Sequence, residues 1–196
     1  MSIALVIFAV TIVVSLLALF VSPRIAERSL FRPYWFLRRR QYATLITSGL
    51  VHADLPHLIF NMMTFWFFAF QLERRIGSAA FVALYLAGKL FSNVGTYVKH
   101  RNDPEYATLG ASGAITAVLF ASILYYPDQS LFILPIPVPI PAPVFAVGYV
   151  ALSWYLSRQS RDRINHDAHL GGALTGVAFV LLTDPAVFMS FAHALW

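Results

Sequence analysis

Six separate stretches of this chain are apolar for roughly the length that a ~30 Å hydrocarbon core demands of a helix. They run approximately over residues 2–21, 55–72, 79–98, 112–127, 140–157 and 168–184, and a short apolar tail follows to Trp196. A soluble domain of 196 residues could not cover so much apolar surface, with 59% of the chain hydrophobic and 12% charged. Only helices and closed barrels satisfy their own backbone groups in lipid, and runs of this length select helices. The expected fold is therefore an all-α integral membrane protein, a single six-span domain over residues 1–196.

The first run, Ser2 to Phe20, has the length of a span and no basic segment before it. It reads as a retained helix and not as a secretory leader. Its lack of Arg- and Ser-rich presequence character points to a bacterial inner membrane. The loop from Ser22 to Asp54 carries PYWFLRRRQY, whose mixed aromatics and arginines suit a membrane interface. The proline-rich PIPVPIPAP cannot be regular helix and reads as a stiff connector into the fifth span. Asp54 and Pro56 mark the start of the second span, and Asp184-Pro185 the end of the sixth.

The net charge of +5 belongs to short loops beside lipid headgroups, so the expected partner is the bilayer and not nucleic acid. No cysteine is present, which removes disulfides and thiolate metal sites. There is no HExxH, no phosphate-cradling glycine loop and no pair of intramembrane aspartates, and neither a metal nor a cofactor is expected.

With six spans, the starts of the second, fourth and sixth lie on one side of the membrane. Four polar residues sit near those starts: His57 and Asn61 in HLIFN, Ser112 in GASGA, and His169 in AHLGGALTG. Ionisable and hydrogen-bonding groups within spans are costly and mark functional sites. Singly, each has a plainer explanation, as a helix cap or a small-residue packing contact. Together they supply acyl transfer. His57 and Asn61, four residues apart, share a helix face. Gly172 and Gly176 form a GxxxG face with His169 on the same side, so a partner helix brought close there meets the imidazole. If that partner is the fourth span, His169 reaches Ser112 and can accept its proton. His57, Asn61 and the Ser112 backbone N–H are candidate oxyanion donors. Asp167, two residues before His169, points elsewhere on a helix, which leaves a Ser–His dyad and no triad. His166 is assigned to the preceding loop.

GASGA at 110–114, HLIFN at 57–61 and AHLGGALTG at 168–176 together resemble the rhomboid intramembrane serine proteases. HAD at 52–54 and ERRIG at 73–77 fit as well. The resemblance implies a six-transmembrane-helix rhomboid-like bundle with Ser112 as nucleophile and His169 as general base. It also implies an oxyanion hole from His57, Asn61 and Ser112, and Gly172 and Gly176 packing the sixth span on the fourth. Gly110 would bring the loop close to substrate, and Gly113 would admit the sixth helix. The implied activity is cleavage, without cofactor, of peptide bonds in or near transmembrane helices of other membrane proteins. Substrates with helix-weakening residues near the scissile bond should be preferred, because a helical peptide bond is hidden by its own hydrogen bonds.

Three features depart from the family pattern. Thr116 replaces an aromatic that stacks on the catalytic histidine in many relatives, which leaves the orientation of His169 open unless another ring substitutes. Ala43-Thr44 stands where a Trp-Arg pair is common. Lys89 falls mid-span, where it would snorkel or pair with Asn93. Topology signals conflict. Loops on the Ser112 side hold 11 of the 14 basic residues, from Arg24 to Arg163, against Arg74 and Arg75 opposite. Positive-inside counting puts the site in the cytoplasm, whereas the resemblance implies a serine opening outward. The rival function is a non-catalytic rhomboid-like protein that binds or escorts transmembrane helices. Such proteins usually lack the serine or the histidine, and this chain has both. A small transporter is a distant third, since no inverted repeat is visible.

Overall fold

A computed structural model of the chain describes residues 2–133, 136–159 and 164–193. Arg161, Arg163 and Trp196 lie outside the described residues. Helix α1 (Ile3–Leu16) starts at Ser2, whose hydroxyl accepts from the Leu5 N–H at 3.2 Å, and continues into a π-helical turn, Leu17–Val21. The long loop folds into three short helices, α2 (Pro23–Ser29), α3 (Pro33–Arg38) and α4 (Thr44–Thr47). Proline in the first turn of α2 and α3 costs no hydrogen bond there. Arg38 and Arg39 lie over the rings of Tyr34 and Trp35 at 3.9 and 3.7 Å, as cation–aromatic pairs.

Asp54 caps α5 (Leu55–Ile76), accepting from the His57 N–H at 2.7 Å, with Pro56 in the first turn. Gly77, with φ of 81°, turns the chain straight into α6 (Ser78–His100). After a loop come α7 (Ser112–Tyr125), strands β1 (Ser130–Ile133) and β2 (Ile136–Pro141), α8 (Ala142–Gln159), α9 (His166–Thr183) and α10 (Pro185–His193). Asp184 caps the end of α9, as the dipeptide predicts, and Pro185 opens a further helix, α10, where only an apolar tail is expected.

Two readings need correction. α9 starts at His166, because the Asn165 side chain accepts from the Ala168 N–H at 3.0 Å and caps it there; His166 is helical and buried, not a loop residue. The proline-rich connector is non-helical as expected, but it forms an antiparallel hairpin with Leu131 opposite Ile140 and Phe132 opposite Pro139. Proline at every second position turns all the missing N–H groups to one edge of the strand, which leaves the other edge able to pair.

Helix α7 is the centre of the molecule. Every residue from Gly113 to Leu124 is buried, and α5, α6 and α9 pack around it. Large apolar side chains face outward instead, among them Phe60, Phe67, Val147 and Leu182. Among the described residues, three helical segments are long and apolar enough to cross a membrane: Ile3–Val21, Leu55–Ile76 and Ser78–His100. Ser112–Tyr125 is apolar but shorter.

Helix α5 runs past its expected end because Glu73 is buried and used. Its carboxylate accepts from the Ser2 hydroxyl, from the Ile3 and Ala4 N–H groups at 2.8 and 3.1 Å, and from the Ser78 hydroxyl at 2.6 Å. One side chain thus caps α1 and ties it to the α5–α6 turn. Glu73→Ala strands these donors, and a loss of about 2–4 kcal/mol is expected in denaturant unfolding in detergent. Glu73→Gln should lose less, since one acceptor oxygen remains.

Candidate active site

The starts of α5 and α9 each pack beside the start of α7, α5 through His57 at Gly110 and α9 through Ala168 at Gly113. In α5, the Asn61 amide donates to the His57 carbonyl at 3.0 Å, which puts both side chains on one face. The His57 ring lies against Gly110. A methyl group there would sit 2.8 Å from Cε1 and 2.9 Å from Nε2. Gly110 also has φ of 119°, a conformation that favours glycine, so two independent constraints act on this position. Two residues on, Ser112 opens α7, half-buried, and its carbonyl accepts from the Thr116 hydroxyl at 2.8 Å.

Helices α7 and α9 run parallel in backbone contact. A methyl at Gly172 would fall on the Gly113 carbonyl, and one at Gly176 on the Ala117 carbonyl. Gly113 in turn faces the Ser92 side chain of α6, with the Ala168 carbonyl 3.2 Å from the point a methyl would occupy. Ser112 and the half-buried His169 therefore share one end of this helix pair. Asp167 does not turn toward them; its carboxylate pairs with Lys99 at 2.8 Å and lies 3.8 Å from His100.

The model of the Rhomboid domain matches residues 39–185, three quarters of the chain and all of this cluster. The chain belongs to the rhomboid family. It is 31% identical over 148 residues to RHOMBOID-like protein 12, mitochondrial, of Arabidopsis thaliana, covering 66% of this chain and 43% of that protein. It is 34% identical over 143 residues to the Presenilin-associated rhomboid-like protein, mitochondrial, of Rattus norvegicus (69% and 37%). Against the Putative rhomboid protease YdcA of Bacillus subtilis it is 46% identical over 71 residues (36% and 35%). The chain spans less than half the length of these curated relatives. Two of the three names are mitochondrial, so they lend no support to the expected bacterial membrane.

Three further residues lie around the cluster. Tyr149 of α8 supplies the ring that Thr116 lacks: it stacks on His169 with centroids 6.1 Å apart and planes at 28°. Its hydroxyl lies 3.4 Å from that of Thr116. His166 meets His169 edge-on at 5.9 Å. His52, from the HAD motif, is fully buried. Its Nδ1 is 3.0 Å from the Ser15 hydroxyl, which donates to the Leu50 carbonyl, while its Nε2 accepts from the Ala111 N–H at 3.5 Å. The proton therefore sits on Nδ1. A signal existed for His52 in its motif, but none for Tyr149, whose helix has no motif.

Burial, with lesser contributions from His57 and Lys89, pushes the His52 imidazole down from 6.5 to about 3. The unfolded chain takes up this proton near pH 6.5, the folded one only near 3, so stability should fall as pH drops below 6.5. Thermal midpoints measured from pH 7.5 to 5 test this; in His52→Gln the acid-side slope should flatten.

Proposed function

We propose that this rhomboid is an intramembrane serine endopeptidase that cleaves peptide bonds in or near transmembrane helices of membrane protein substrates. In this reading residues 1–196 form one domain whose six longer helices all cross the bilayer. The observation that carries it is the glycine-lined contact of α7 with α9, which brings the ends bearing Ser112 and His169 together. At 1.5 Å per residue, the 14 residues of α7 span about 21 Å, less than the hydrocarbon core. A helix so short and so enclosed begins below the membrane surface, where water can enter from one side only.

The chemistry follows from the donor set. The Ser112 hydroxyl attacks the scissile carbonyl carbon while His169 takes its proton. The Ser112 N–H, His57 and Asn61 donate to the oxyanion. Collapse breaks the C–N bond, and the imidazolium returns its proton to the leaving amine. His169 then activates a water that hydrolyses the acyl-serine. Stacking by Tyr149 holds the imidazole in plane for both transfers. An aromatic pair of this kind contributes about 0.5–1.5 kcal/mol, so Tyr149→Leu should lower kcat roughly 2- to 12-fold. Tyr149→Phe should keep most of the activity.

A fluorophosphonate probe tests the reading on the full chain in liposomes, beside cleavage of a model transmembrane substrate. Wild type should be labelled and should cleave, and Ser112→Ala should do neither. A folded wild type that binds transmembrane helices without labelling or cleavage would favour the non-catalytic escort.

A further inference from the structure

Lys89 lies in the middle of α6, almost fully buried, and it does not snorkel. Among the described residues no carboxylate lies within ion-pair distance of it. Its Nζ donates instead to the Gly110 carbonyl at 3.2 Å and to Asn93 Oδ1 at 3.5 Å. Asn93 is fixed in turn by donating to the Leu45 carbonyl at 3.1 Å. Gly49 leaves room for the lysine stem, since a methyl there would sit 3.1 Å from Cε and 3.3 Å from Cδ.

The carbonyl that Lys89 holds belongs to the same peptide unit as the Ala111 N–H, which His52 Nε2 accepts. That unit is therefore gripped at both ends, one residue before Ser112. Upstream, the Gly110 N–H donates to the Ser48 carbonyl at 2.8 Å. With φ of 119° the glycine turns its carbonyl into the protein interior, where a partnerless acceptor is costly. Released, the unit could rotate, and with it the direction in which the Ser112 N–H and hydroxyl leave the backbone. A lysine nitrogen is costly to bury, and here its two acceptors are Asn93 Oδ1 and the Gly110 carbonyl.

We propose that Lys89 is a positioning residue for the nucleophile: from α6 it latches the Gly110–Ala111 peptide and so sets the orientation of Ser112. The inference rests on the reading of Ser112 as nucleophile and goes beyond it. The interaction is a buried hydrogen bond from the lysine nitrogen, and its loss should slow the reaction about 10- to 100-fold without weakening substrate binding.

Lys89→Met keeps the apolar stem and removes the donor. Reconstituted in liposomes, its kcat and its fluorophosphonate labelling rate per folded molecule should both fall about 10- to 100-fold, with KM within about twofold of wild type. A merely structural lysine predicts a lower thermal midpoint with unchanged kcat in the folded fraction. Leu84→Ala, a core truncation on the same helix, should show that pattern. If Lys89→Met does not fold, Gly49→Ala decides, since it retains the lysine and only crowds its stem. A fall of about 3- to 10-fold in kcat, with KM held, supports the latch. Wild-type kcat and labelling in folded Lys89→Met, or in Gly49→Ala where Met does not fold, would overturn it. A wild type that is folded yet never labelled would instead defeat the nucleophile reading itself, and the latch with it.

Discussion

Replacing His169 by alanine is expected to reduce cleavage about 1,000-fold or more, with substrate affinity nearly unchanged. A serine hydroxyl is a weak nucleophile unless a base takes its proton during the attack, so the loss falls on the chemical step. The double variant Ser112→Ala/His169→Ala should be no worse than either single one. Groups that act on one proton as a unit do not contribute additively. Initial rates on a transmembrane substrate, with binding measured separately, give both comparisons. Equal turnover in His169→Ala and wild type would remove the dyad. If His166→Ala, next to it on α9, were the inactive variant instead, the base would have been misassigned.

The second large effect comes from a single methyl group. Gly172→Ala should lower turnover about 100-fold and destabilise the fold by about 1–3 kcal/mol. The added carbon would fall on the Gly113 carbonyl, which is backbone and cannot rotate away. Helices α7 and α9 must therefore separate, and a displacement near 1 Å between nucleophile and base has that scale of consequence. Gly148→Ala on α8 is the matched control, because its methyl meets nothing within 4 Å. Turnover and thermal midpoint should stay near wild type there. Similar losses in both variants would point to expression or a general folding defect and away from the α7–α9 contact, since alanine in place of glycine favours the helix itself.

Much of the candidate site was legible because its residues repeat within single helices. His57 and Asn61 are one turn apart, Gly172 and Gly176 likewise, and each pair announces a face without reference to anything else. Span ends were legible where a residue acts on its own backbone, as Asp54 does on the His57 N–H. The start of α9 was missed by two residues, although its cap, Asn165, is also local. There the apolar pattern begins later than the hydrogen-bonded helix. The hairpin was missed because alternating prolines exclude helix but do not name the strand that will pair with them.

By itself the sequence determined a helical membrane protein, the approximate course of its apolar segments and the motif residues that mark the family. Those features depend on composition and on contacts within a turn or two of helix. Tertiary structure alone decided what Lys89, Glu73, His52 and Tyr149 do. Lys89 reaches a carbonyl 21 residues away and Glu73 a hydroxyl 71 residues away. Neither partner belongs to a periodic pattern. Such pairings arise only when packed helices leave a buried polar group with one partner in reach, and the cost of leaving it unpaired then selects that partner.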